Sequence, residues 1–236
     1  MIEFSSKSME WFREYQPKLK IYIDNGRFKN LTGFLNVDMS YSEDDGYVIF
    51  PDESQPTRGI HLVDTYQIRV EHFNNEDIPK VYEIGNRIIS HAEKVNKPIR
   101  DLHINNSDGN VCLCPKPEES IKLPINYNLE DFFMKLVIPF FYAQIFFEKY
   151  NRWPWGEYSH GDVGILECYG RCISQSEDKK AFTEDTIKSL NFENQKKIQS
   201  LDKISRQSVC WCGSGEKFRK CHHEAWLNLK MLKEFR

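Results

Sequence analysis

No stretch of this chain is apolar for long enough to cross a bilayer. The longest such run, Phe132 to Phe147, is interrupted by Lys135, Pro139 and Gln144. It falls short of the roughly 20 residues that a spanning helix needs. A basic region followed by an apolar run is missing from "MIEFSSKSMEWF", so no secretory signal is expected. An excess of one charge is missing too: 32 Lys and Arg face 35 Asp and Glu, for a net charge of −3. That leaves no global basic field to attract nucleic acid or a membrane surface. A disulfide scaffold is a poor fit, because the seven cysteines are odd in number and clustered. The expectation is a soluble, cytoplasmic protein whose cysteine clusters are metal ligands or reactive thiols.

What is present is a globular composition. Hydrophobic residues make up 40% and charged residues 28%, with 16 Phe and 11 Tyr, so the core should be rich in aromatics. A length of 236 residues allows one ordinary domain with an appendage, or two small ones. Residues 8–19 ("SMEWFREYQPKL") read as a short amphipathic helix with Met9, Phe12 and Tyr15 on one stripe and Ser8 as its cap. Strands follow. Leu35, Val37 and Met39 alternate with Phe34, Asn36 and Asp38, "YVIF" is a short apolar run, and Tyr66, Ile68 and Val70 alternate with Gln67, Arg69 and Glu71. Strands in succession imply an antiparallel meander. The segment 86–102 reads equally as a strand or as one or two helical turns. Residues 128–150 read as a helix with a broad buried face, kinked or divided at Pro139. Residues 176–207 read as a polar linker or exposed helix.

The C-terminal "CWCGSGEKFRKCHH" (210–223) presents four metal ligands in two pairs. Cys210, Cys212, Cys221 and His222 suit tetrahedral Zn²⁺, with His223 in reserve as the fourth ligand. Four protein ligands leave no open position, so such a zinc is structural. The segment is not a phosphate-binding loop, since Cys210 and Glu216 stand where that motif needs Gly and Lys. This pattern resembles the SEC-C zinc motif, found at the end of the SecA translocation ATPase and appended to many other proteins.

The densest chemistry lies in "HINNSDGNVCLC" (103–114). His103, a turn bearing Asn105 and Gly109, then Cys112 and Leu113 resemble the active-site signature of ubiquitin-conjugating enzymes. Ile104 stands where that signature has proline. "FFEKYNRWPWGEYSHG" further resembles a motif of bacterial relatives in antiphage operons with cyclic-nucleotide signalling. The resemblance implies an α+β fold: a ubiquitin-conjugating-enzyme-like meander with flanking helices over residues 1–170, then a polar helical linker (171–207) and the zinc motif (208–236).

It also implies a cysteine-thioester acyltransferase. A thiolate is the nucleophile in thioester exchange. Cys112 would carry the C-terminus of a partner protein, either a modifier or a cyclic-nucleotide synthase, and pass it to an amine. Asn105 would donate to the oxyanion or brace the loop that does so. His103 would pack beneath the loop, and His160 would order a loop or deprotonate a lysine. A separate activating enzyme is implied as a further partner. The alternative is a non-catalytic adaptor of the same fold. Cys114 is assigned no role, and Cys168 and Cys172, four residues apart, read as buried helix cysteines.

Overall fold

The chain makes its first hairpin at Asn25–Gly26, where both residues take positive φ, 49° and 73°. Asn and Gly tolerate this conformation best, and the resulting turn matches the twist of the strands it joins. It links β1 (Leu19–Asp24) to β2 (Arg27–Ser42). The computed structural model describes residues 6–51, 59–72, 78–105, 108–123, 126–191, 205–210, 215–221 and 223–234. Over these residues the architecture is α+β, an antiparallel sheet with flanking helices. Contacts divide the chain into two interleaved units: Met1–Leu113 with Ile125–Gly156, and Cys114–Pro124 with Glu157–Arg236. This division cuts across the linear boundaries at 170 and 207 read from the sequence.

In the first unit β3 (Gly46–Ile49), β4 (Ile60–Glu71) and β5 (Lys80–Glu83) complete the sheet, with β1, β2, β4 and β5 in order and β3 paired to β2. Strand β4 follows β2 without a break from Asn30↔Glu71 to Tyr41↔Ile60. The other edge of β2 is shared by β1 and β3. Between them the Gln16 amide bonds the Asn36 N–H and C=O, each at 2.8 Å, so those backbone groups are satisfied where no strand reaches. Leu35, Val37, Met39, Tyr66, Ile68 and Val70 are all buried, the alternation a half-buried sheet requires.

Helix α1 (Ser6–Tyr15) buries Ser8, Trp11 and Phe12. Its face is therefore rotated from the Met9–Phe12–Tyr15 stripe, and Ser8 lies inside the helix rather than capping it. The reason is aromatic: Trp11 and Phe12 both meet Phe133, at ring centroid distances of 6.4 and 5.0 Å. The ambiguous segment 86–102 forms α2 (Arg87–Lys94) and a 3₁₀ turn (Ile99–Leu102).

The aromatic helix runs unbroken through α4 (Leu129–Phe132), a π-turn (Phe133–Val137) and α5 (Ile138–Tyr150). Pro139 has no N–H, and in a regular helix its ring meets the carbonyl four residues before it. The widened turn ahead of it absorbs that conflict, so the proline neither divides the helix nor ends it. Every residue from Ile138 to Phe147 is buried.

The second unit holds α3 (Lys116–Lys122), α6 (Asp162–Cys172), α7 (Lys179–Ser189), α8 (Phe218–Cys221) and α9 (His223–Glu234). Leu166, Tyr169, Phe182, Ala225 and Leu232 share one core, and Asn228 Nδ2 donates to the Leu166 carbonyl at 2.8 Å. The part of the expected linker that falls at 179–189 is thus a packed helix. Its buried threonines turn their hydroxyls back onto the preceding turn: Thr183 Oγ1 donates to Lys179 O at 2.6 Å and Thr186 Oγ1 to Phe182 O at 2.8 Å. That is how so polar a sequence buries a face. Residues 192–204 of that expected linker lie outside the described residues.

An ion cluster joins β4, α2 and α5. Arg87 forks onto Glu148 through Nε at 3.1 Å and Nη2 at 2.7 Å, and Nη2 also reaches Asp64 at 2.7 Å. Partial burial pushes the Asp64 carboxyl up, but the Arg87 and Thr65 hydrogen bonds outweigh it and leave the pKa below 3.8. A folded pKa below the unfolded one gives stability that is present above the unfolded value and lost as pH falls through the folded one. Urea melts at descending pH should therefore show stability falling below pH 3.8. In Arg87→Leu the Asp64 contribution to this acid loss should shrink, since the Thr65 hydrogen bond remains to hold the carboxylate.

Candidate functional site

Residues 103–105 and 108–112 pair as the two arms of a small hairpin. Ile104 and Val111 make an antiparallel bridge, and the Cys112 N–H donates to His103 O at 2.7 Å. Cys112 therefore lies opposite His103 in the register. Higher in the hairpin the Asn105 N–H donates to Asn110 O, and the Gly109 N–H donates to Asn105 O, both at 2.9 Å. The Asn105 and Asn110 side-chain amides meet at 3.1 Å. Gly109 carries a φ of 73°, a left-handed conformation that glycine adopts without strain.

The hairpin is fixed to the sheet from one side. The Val111 N–H donates to Val81 O on β5 at 2.8 Å, and Lys80 Nζ holds Asp108 at 2.6 Å. Ile104 and Val111 are buried, while Cys112 is exposed and His103 and Asn105 are half-buried. Alternation along the two strands produces this sorting. The Ile104 N–H donates to Ile99 O at 3.2 Å, a bond that a proline at this position could not make.

The base of the hairpin is anchored to α5. Gln144 Nε2 donates to Leu102 O at 2.9 Å in a buried position, and His103 then leaves the 3₁₀ turn with φ 59°. The His103 ring lies 5.0 Å from the Trp153 ring, which itself stacks on Phe147 at 4.5 Å. Trp155 stacks on Tyr142 at 6.0 Å and meets Tyr41 edge-on at 5.1 Å. The "WPW" stretch thus clamps α5 and supports His103, a role that its sequence alone left unassigned. The supports Lys80, Val81 and Asn110 also escaped the sequence reading. The mirrored asparagines of "NNSDGN" were the available signal for Asn110.

His103, Asn105 and Cys112 share one hairpin of the first unit. His160 belongs to the second unit, where it is exposed beside a loop pinned by Ser159, whose N–H and Oγ both bond Glu167, at 2.8 and 3.0 Å. Cys114 also belongs to the second unit and is half-buried. Cys168 and Cys172 are buried on α6.

At the C-terminus Val209 bridges Lys217, the Cys210 N–H donates to Glu216 O and the Phe218 N–H donates to Ser208 O, both bonds 2.8 Å. This knuckle, with Gly215 at φ 75°, leads directly into α8. Cys210 is buried against Phe218, and half-buried Cys221 packs on the same cluster. Two thiols, one on the knuckle and one on the following helix, gathered around a single ring, are a fitting half of a tetrahedral thiolate-rich set. Cys212 and His222 lie outside the described residues. Among the described residues no three His, Cys, Asp or Glu side chains gather around one point. Residues 208–224 match the family described as SEC-C motif. The C-terminal segment carries this zinc-binding type of motif. No curated protein and no solved structure matches the chain. No helix among the described residues is long and apolar enough to cross a membrane.

These exposures set an order of thiol reactivity. Native labelling with a maleimide, followed by peptide mapping, should modify Cys112 first and leave Cys168 and Cys172 unmodified until the chain is unfolded. Equal labelling of all three would contradict the burial described.

Proposed function

We propose that this chain is an acyl-transfer protein of the ubiquitin-conjugating kind, carrying a partner's C-terminus on Cys112. The observation that supports this reading is the exposed Cys112 thiol, held opposite His103 on a hairpin fixed to both β5 and α5. The order of elements also agrees with the resemblance: a short helix, an antiparallel meander, the cysteine hairpin, then a long buried helix. The Cys112 thiolate attacks the activated carbonyl of the partner's C-terminal residue, and the activating group leaves. A thioester forms. An incoming amine then attacks that carbonyl, and the Cys112 thiolate departs as an amide forms. Asn105, braced by Asn110, orders the loop beside the developing oxyanion or donates to it. His103 packs on Trp153 and serves as support.

The proposed partners are a protein modifier or cyclic-nucleotide synthase whose C-terminus is conjugated, and a separate activating enzyme, in bacterial antiphage defence. The SEC-C segment would hold a structural Zn²⁺ through Cys210, Cys212, Cys221 and His222. When bound, zinc supplies a crosslink between knuckle and helix.

The experiment is a covalent trap. Cys112→Lys protein, expressed in its native host, should carry an amide to another protein's C-terminal residue, visible by mass spectrometry after denaturation. Cys112→Ala should show no adduct, and Cys114→Ala should form the thioester normally. A trap that stays empty, together with a wild type that never shows a reductant-sensitive adduct, refutes the reading. For the metal, zinc should co-purify in equimolar amount with wild type and be lost from Cys210→Ser and Cys221→Ser. Because α9 shares a core with α6 and α7, circular dichroism should show those helices loosening on chelation while the sheet persists.

A further inference from the structure

The second unit holds a thiol cluster that acyl transfer does not use. Cys168 and Cys172 are 0% and 3% exposed and lie one helical turn apart on one face of α6. Their sulphurs are 4.0 Å apart, with Cys168 donating. The Tyr158 hydroxyl approaches Cys172 Sγ, also at 4.0 Å. An ideal helix separates the Cα atoms of such a pair by about 6.2 Å, inside the range that disulfides span. Closing the bond then needs a sulphur shift of about 2 Å. Cys172 is the last residue of α6, with φ −100° and ψ −21°, where the regular helix gives way to the 3₁₀ turn Ile173–Gln175.

We propose that Cys168 and Cys172 form a redox-active dithiol, closed to a disulfide by a hydroperoxide admitted through Cys114. Cys114 is the half-buried member of the set and stands two residues before α3, which packs directly against α6, the helix that carries both other thiols. The Cys168 hydrogen bond lowers the Cys172 thiol from its ordinary value, and the same bond, with burial, raises Cys168. Cys172 is thereby the readier thiolate of the pair.

The sequence of bonds follows from this placement. The Cys114 thiolate attacks one peroxide oxygen, the O–O bond breaks, and a sulfenic acid and an alcohol (or water) result. The Cys168 sulphur attacks the Cys114 sulphur, and hydroxide leaves with the Cys168 proton as water. The Cys172 thiolate then attacks Cys168, releasing the Cys114 thiolate. In sum, Cys168 and Cys172 lose two protons and two electrons, and the peroxide is reduced to alcohol and water. The step does not depend on Cys112 or on the acyl-transfer reading.

The test uses the full chain in a Cys112→Ala background, exposed to hydrogen peroxide, acid-quenched, alkylated in denaturant and cut with trypsin. Arg171 separates the two cysteines, so the disulfide joins peptide 153–171 to peptide 172–179. That linked pair should accumulate, and Cys114→Ser should slow its formation roughly tenfold or more with an unchanged circular dichroism spectrum. Dimedone should trap a sulfenic acid at Cys114 before the linked pair appears. The proposal is overturned if Cys168 and Cys172 stay alkylatable after peroxide treatment, if Cys114→Ser forms the linkage at the wild-type rate, or if the final product joins Cys114 to Cys168.

Discussion

Helix α5 has no solvent face from Ile138 to Phe147, and this constraint organises the first unit. A helix buried all round cannot leave a polar side chain to water, so each one must find a partner in an element packed against it. Gln144 reaches the Leu102 carbonyl, and the Tyr142 hydroxyl reaches the Ile60 carbonyl at 2.6 Å. Just past the buried run, Glu148 takes Arg87 and the Tyr66 hydroxyl, the latter at 2.8 Å. The polar groups of α5 thus act as struts to β4, to α2 and to the turn before the hairpin.

The Gln144 strut bears most directly on the site. It holds the carbonyl immediately before His103, and His103 begins the strand that pairs with Cys112. Losing the donor would strand a buried carbonyl, which costs about 1–3 kcal/mol. The larger effect falls on geometry, because the left-handed His103 and its contact with Trp153 both follow from where Leu102 is placed. Position is thereby transmitted from a helix buried on all sides to an exposed thiol through one hydrogen bond and one ring stack. An exposed thiol on a loop with such supports keeps a fixed geometry, which the proposed acyl transfer would require.

The strands of period two were legible in the sequence, because burial on one face leaves a direct trace in residue alternation. Leu35, Val37, Met39, Tyr66, Ile68 and Val70 were readable for that reason. The β1 strand was not named, although Asn25–Gly26 marks a hairpin, because "LKIYID" mixes polar and apolar residues at an edge. The face of α1 was misplaced by one position: Trp11 outweighs Met9 once Phe133 is there to receive it, and that partner is more than a hundred residues away. The helix at 179–189 is legible in the sequence but its burial is not, since threonine hydroxyls satisfied within the helix bury as apolar groups do. Of the candidate site, Cys112, His103 and Asn105 stood out by residue type. Their supports on β5, α5 and the tryptophan loop did not, because these contacts are set by tertiary packing that no local pattern records.

The chain passes from one unit to the other between Leu113 and Cys114, and this changes what the two neighbouring cysteines mean. Two residues apart on a continued strand, their side chains would face the same way and Cys114 would be the natural resolving thiol for Cys112. Here the strand pairing runs to Cys112, and the chain bends at Cys114 before Pro115 caps α3. Cys112 is exposed on a hairpin anchored to the sheet, whereas Cys114 is half-buried just ahead of α3, which packs on the helix carrying Cys168. Thioester chemistry benefits from a thiol without a competitor on its own strand, since a neighbouring thiolate would capture the acyl group. Dithiol chemistry benefits from the reverse, a cluster in which one thiolate meets another. The boundary after Leu113 places in different units the thiol proposed to carry a thioester and the thiol proposed to serve the dithiol, within three residues of sequence.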